Sequence, residues 1–219
     1  MDKIISIAID GPAGSGKSTI SKFISKKLNI EYIDTGAMYR AFTLKILNKR
    51  ISLDDTKKIV SEINNTIIDF KDNHIYLDGE IVDKQIRENI INQNVSYIAK
   101  IKEVRYRMVE LQREIAKNKS IVMDGRDIGT VVLPNATYKF FIIASIDERA
   151  KRRYKDLTSE NETNITLEQV KKELKMRDEI DSSREVAPLV KAKNAIEVDT
   201  TEKNIEESVN TILEIIQGR

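Results

Sequence analysis

"KIISIAIDGPAGSGKSTISKFISKKL", residues 3–28, joins an apolar run to a glycine-rich loop and then to a helical pattern. The run KIISIAI (3–9) reads as a buried strand. Gly11, Gly16, Lys17 and Ser18 then keep the G-x-x-x-x-G-K-S spacing of a phosphate-binding loop. Glycines allow positive φ and let backbone N–H groups approach an anion closely. Lys17 adds a point charge for the β- and γ-phosphates, and the Ser18 hydroxyl suits Mg²⁺. The Lys17 side chain is expected to stand exposed in the loop. Ile20, Phe23, Ile24 and Leu28 fall on one face of the following helix, whose N-terminus would favour negative charge. A glycine turn without a ligand is the plain alternative. The length of the motif and its strand–loop–helix context favour a nucleoside triphosphate.

The chain has 219 residues, enough for one good core with inserted lobes. Charged residues make up 33% and the formal net charge is +2, so no global field argues for nucleic acid or an anionic membrane. The lack of cysteine excludes disulfides and thiolate metal sites. The opening apolar run is too short for a signal peptide or a membrane span, so the cytoplasm is the expected compartment.

Four more apolar runs read as strands: EYID (31–34), SIVMD (120–124), YKFFIIA (138–144) and AIEVD (195–199). Helical patterns lie between them at 36–49, 101–118, 147–157, 166–181 and 203–217, with Thr166 and Gln169 at capping-box spacing. This alternation predicts an α/β fold with a five-stranded parallel sheet. Residues 50–95 break the rhythm. A helix with Ser52 as N-cap is expected there, followed by small antiparallel strands turning at Asp78-Gly79. The expected organisation is a core at 1–49, an inserted lobe at 50–95, core again at 96–146, a helical lid at 147–181 and core at 182–219. The polar stretch TSENETNIT (158–166) reads as a mobile loop at the lid's tip.

Other motifs carry chemistry. DTGAMYR (34–40) follows the second strand, at the edge where α/β sheets bind ligands. Taken alone, Arg40 is equally a surface arginine. MDGRDIGTVV (123–132) ends the third strand in Asp124, as an acidic Walker B residue does. Arg126 and Asp127 would project over the phosphate-loop edge, although a simple ion pair would also account for them. Arg149, Arg152 and Arg153 share one helix face, and Arg177, Asp181 and Arg184 share another. Such faces usually mean solvated helices. In a protein that grips polyphosphate, arginine forks suit phosphate oxygens. His74, the one histidine, reads as a structural or surface residue.

The set IDGPAGSGKST, DTGAMYR, DGRDIGTVVLP, ERAKRR and RDEIDSSREVAPL resembles the bacterial cytidylate kinase family from end to end. The resemblance implies a P-loop nucleoside monophosphate kinase that moves the γ-phosphoryl of ATP, with Mg²⁺, to CMP or dCMP. It implies that Gly11, Pro12, Ala13, Gly14, Ser15, Gly16, Lys17, Ser18 and Thr19 cradle ATP. Arg40, Arg126 and Arg184 would hold the acceptor phosphate. Ser96, Arg105 and Asp127 would face cytosine, while Arg177 and Asp181 would reach the ribose hydroxyls. Thr35 would join the acceptor site. Arg149, Arg152 and Arg153 would belong to the lid over ATP. Lys17, Arg126, Arg153 and Arg184 would carry the transfer, with Ser18 on the metal and Asp124 there directly or through water. The expected partners are the small-molecule substrates alone, with no nucleic acid or membrane, and a monomer is expected. Two rivals stay open: a kinase for UMP, AMP or a nucleoside, and a nucleotide-driven switch.

Overall fold

The computed structural model describes residues 4–71, 74–159 and 165–218. The central sheet comprises β1 (Ser6–Asp10), β2 (Glu31–Asp34), β6 (Ile121–Gly125), β7 (Tyr138–Ile143) and β8 (Ile196–Asp199) in the order β2-β6-β1-β7-β8. Every pair in it is parallel. Ile7, Ile9, Val122 and Phe140 are buried against one helical layer, and Ala8, Ile33, Ile121 and Met123 against the other. Burial on both faces explains why these strands read as near-continuous apolar runs. β1 lies between β6 and β7, and its C-terminal end is where the chain's crossovers diverge, so a crevice opens there.

Helix α1 (Lys17–Leu28) buries Lys17, Ile20, Ser21, Ile24 and Ser25. That stripe is turned from the expected one. Phe23 falls off it and is 47% exposed, at the edge of the central cavity. Helix α2 (Thr35–Asn48) is capped by Asp34, which accepts the Ala37 N–H at 2.8 Å. Helix α3 (Thr56–Asn64) starts later than expected, with Asp55 rather than Ser52 as N-cap. Asp55 accepts the Lys58 N–H at 3.1 Å, whereas the Ser52 hydroxyl is taken up in a turn with the Asp54 N–H.

A separate antiparallel sheet follows, made of β3 (Ile68–Lys71), β4 (His74–Leu77) and β5 (Glu80–Ile81). Its second turn is Asp78-Gly79, with φ of 51° and 93°. Both residues need positive φ, as a two-residue hairpin loop of this kind requires. His74 is exposed and pairs with Asp83 at 2.5 Å, consistent with a surface role.

Helix α4 (Asn89–Ala99) had no counterpart in the periodicity and runs through position 95. Helix α5 (Lys102–Ala116) leads to β6, after which residues Ile128–Val132 form one wide π-type turn. Helices α6 (Ile146–Ser159) and α7 (Leu167–Ser183) pack together through Ala150, Leu157, Val170 and Leu174. The Thr166–Gln169 capping box is present in both arms. Residues 160–164, the centre of the expected mobile loop, lie outside the described residues. Helix α8 (Ile205–Gln217) closes the chain behind the Asn204–Glu207 capping box.

Candidate active site

The phosphate loop is built by close approach. A Cβ on Gly11 would lie 2.1 Å from the Ile142 carbonyl oxygen, so the strand can turn into the loop there only without a side chain. Gly16 caps α1 with no side-chain hydrogen bond. The first-turn N–H groups therefore remain available to an anion. Lys17 does not stand in solvent as expected. It is 6% exposed, and its Nζ donates to the Pro12 carbonyl at 2.8 Å, folding back under the loop. Burial pushes its pKa well below the ordinary lysine value, and the Arg126 charge pushes it the same way.

Asp124 ends its strand beside α1. It accepts the Ser18 hydroxyl at 2.6 Å and the Tyr32 hydroxyl at 2.9 Å. Its carboxyl is pushed up to about 6, first by burial and then by the charge of Asp34. A hydroxyl and a carboxylate at this separation form a hard-oxygen pair. Among the described residues no three acidic or imidazole side chains gather into a metal cage. Mg²⁺ needs only one or two protein oxygens when substrate phosphates and water complete its shell, and Ser18 with Asp124 fits that requirement.

Across from the phosphate loop stands a lattice of arginines and carboxylates. Arg105 Nη2 donates to Asp127 at 2.5 Å and its Nη1 to the Ala99 carbonyl at 3.0 Å, above the Tyr39 ring. Arg126 Nε donates to Asp181 at 2.8 Å. Arg184 reaches Asp127 and Asp181, each at 3.7 Å, and donates Nε to the Ala187 carbonyl. Burial works against the ionised form of Asp181, but the surrounding Arg126, Arg177 and Arg184 outweigh it and hold its carboxyl below the usual range. Arg177 is pushed down to about 10 by burial and by Arg126. Gly125 leaves room for this turn: a Cβ there would lie 2.7 Å from both Ile128 and the Thr35 hydroxyl.

These groups line one cavity of about 660 Å³. It brings together Ala13, Gly14, Lys17, Ser18 and Thr19 of the loop with Thr35, Arg40, Ser96, Arg105, Asp124, Arg126, Asp127, Arg153, Arg177, Asp181 and Arg184. The Thr35 hydroxyl is occupied by the Asp124 carbonyl, at 2.7 Å. Arg40 pairs with Asp34 at 2.9 Å. Gly11, Pro12, Ser15 and Gly16 lie behind the wall. So do two of the three arginines of the first helix face. Arg149 donates to the Ala144 and Ala13 carbonyls and to Asp178, tying the phosphate loop to α7. Arg152 is engaged by Glu148 and Thr200. Of that face, only Arg153 looks into the cavity. Lys22, Tyr39 and Arg87 also line it. Arg87 lies in a stretch, DKQIRENI, where nothing in the spacing marks it out.

The sequence matches the family model for cytidylate kinase over residues 7–218. The chain belongs to the cytidylate kinase family. It is 55% identical over 207 residues to the cytidylate kinase of Clostridioides difficile (strain 630), covering 94% of this chain and 95% of that one. It is 52% identical over 217 residues to the cytidylate kinase of Fusobacterium nucleatum subsp. nucleatum, covering 99% of each. Among solved structures, an uncharacterized protein from Eubacterium ventriosum superposes with a TM-score of 0.54 at 14% identity, covering 99% of this chain and all of that one. Shikimate kinase from Bacteroides thetaiotaomicron gives 0.51 at 13% identity, covering 98% and 99%. At such identities these two share only the fold with this chain. They say nothing about its acceptor.

Proposed function

We propose that this chain transfers the γ-phosphoryl of ATP to CMP and dCMP, giving ADP and the pyrimidine diphosphate. One observation carries the reading beyond family membership. Arg40, Arg126, Arg153, Arg177 and Arg184 all line the same cavity as Lys17 and the phosphate loop. Donors converging from several elements on a site that begins at a phosphate loop call for an anion with many oxygens, and two phosphorylated substrates supply them.

Phosphoryl transfer asks for alignment and charge neutralisation rather than covalent chemistry from the protein. The phosphate loop and Lys17 hold the donor phosphates. Arg40, Arg126 and Arg184 hold the acceptor phosphate in line with them. Arg153, from the lid side, spreads the charge that develops on the moving group. Ser18 and Asp124 would hold Mg²⁺, which when bound neutralises the β- and γ-oxygens. Ser96, Arg105 and Asp127 read the base, while Arg177 and Asp181 take the ribose.

A direct test mixes protein, Mg²⁺ and ATP with CMP, dCMP, UMP or AMP and follows ADP release. Fast release with CMP and dCMP alone is expected. Slow release indifferent to the acceptor would overturn the reading in favour of a nucleotide-driven switch. A second measurement addresses the lid. Arg153 and Arg177 face the cavity from α6 and α7. Both helices are therefore expected to draw inward over the substrates and exclude water. Amide exchange in 147–181 should slow when a bisubstrate analogue is added, and equal exchange with and without it would remove the lid from the mechanism.

A further inference from the structure

The turn after β6 carries Arg126 and Asp127 into the cavity, and it is anchored from behind at both ends. Asp10 closes β1 immediately before Gly11. Its Oδ1 accepts the Ile128 N–H and its Oδ2 the Gly129 N–H, both at 2.8 Å. At the far end, Arg113 of α5 donates Nε to the Val132 carbonyl at 3.1 Å and Nη2 to the Val131 carbonyl at 2.7 Å. Between these anchors the Asp127 carbonyl accepts the N–H groups of Val131 and Val132.

Asp10 is 3% exposed and is not part of the cavity wall. No step of the transfer uses it. A buried carboxylate is unfavourable unless its oxygens are matched. Burial pushes this one up to about 6, even though its two N–H bonds pull the other way. The requirement it meets is geometric. Two adjacent N–H groups converge from one turn, and a carboxylate offers each an oxygen. Because Asp10 is also the last residue before the phosphate loop, the same joint sets the distance between donor loop and acceptor turn.

We propose that Asp10 is a positioning residue for base selection: its two oxygens clamp the turn that places the Asp127 carboxylate against the acceptor base. The inference rests on Asp127 reading the base, as argued above. Asparagine at position 10 has the same shape but one acceptor oxygen, and its NH₂ would confront the second N–H. The turn must then shift, and misplacing a binding group by about 1 Å costs on the order of 10²-fold.

The test compares wild type, Asp10→Asn and Arg113→Met. kcat/KM is measured for CMP and UMP at saturating ATP, and KM for ATP separately. In Asp10→Asn the CMP/UMP ratio is expected to fall at least about tenfold while KM for ATP stays within about threefold. A folded Asp10→Asn protein that keeps the wild-type ratio overturns the proposal. So does one whose ATP KM rises in step with that for CMP. If Asp10→Asn does not fold, Arg113→Met decides by the same criteria, since its side chain is exposed and holds only the outer end of the turn. A wild type without CMP preference would instead remove Asp127 as the base reader, a failure distinct from that of the clamp.

Discussion

Lys17→Ala is expected to lower kcat by about 10²-fold or more, the usual loss for one charge-stabilising donor. The structure sharpens the reason. The ammonium lies beneath the loop, held by a single contact to the Pro12 carbonyl, at the floor of the cavity. In that dry setting a positive charge acts strongly on phosphate oxygens that gain charge during transfer. Alanine removes the charge and the strap across the loop together. Circular dichroism should show an unchanged fold, because the loop's turn is made by backbone geometry at Gly11 and Gly16 rather than by this side chain. Steady-state kinetics with ATP and CMP checks the effect. A near-normal kcat would take Lys17 out of the mechanism.

Asp127→Asn should change which base is accepted. Cytosine offers an N4 amino donor where uracil offers the O4 acceptor. Asp127 Oδ2 is engaged by Arg105 at 2.5 Å, whereas Oδ1 is 3.7 Å from Arg184 and is the freer oxygen. As a carboxylate it accepts from N4 and repels O4. A pocket built on such pairing rejects the mismatched base by up to about 10⁴–10⁵-fold, since its own polar groups are left unpaired. Asparagine can keep its oxygen on Arg105 and turn NH₂ toward the base, matching uracil. kcat/KM for CMP should therefore fall by more than that for UMP, measured for both acceptors in both proteins. An unchanged CMP/UMP ratio would make Asp127 a phosphate-orienting partner of the arginines instead.

The core sheet was legible because parallel strands buried on both faces leave apolar runs that no other element explains. The hairpin at Asp78-Gly79 and the cap at Thr166 were legible because each is a local rule with a local cause. Helix α4 was not. Its stretch Asn89-Ile90-Ile91-Asn92-Gln93-Asn94 has no side-chain cap, and Ile91, Val95 and Ile98 become a helical face only by packing into the core. The arginine face at 149–153 announced a charged cluster, but spacing does not say which guanidinium meets a backbone carbonyl and which meets the cavity. Asp10 was invisible for another reason: its partners lie 118 and 119 residues away. Lys17 was expected in solvent and lies buried, because a motif specifies residue type and not rotamer.

The guanidinium groups crowded along the cavity set a limit on how robust the empty protein can be. Arg177 shows why: burial and the neighbouring Arg126 charge both work against its ionised form. A chain selected for heat resistance alone would replace such arginines with methionine or leucine and lose its chemistry in doing so. Here the least comfortable side chains are among those proposed to meet the substrates, so thermal resilience and catalytic competence are set against each other within one cavity.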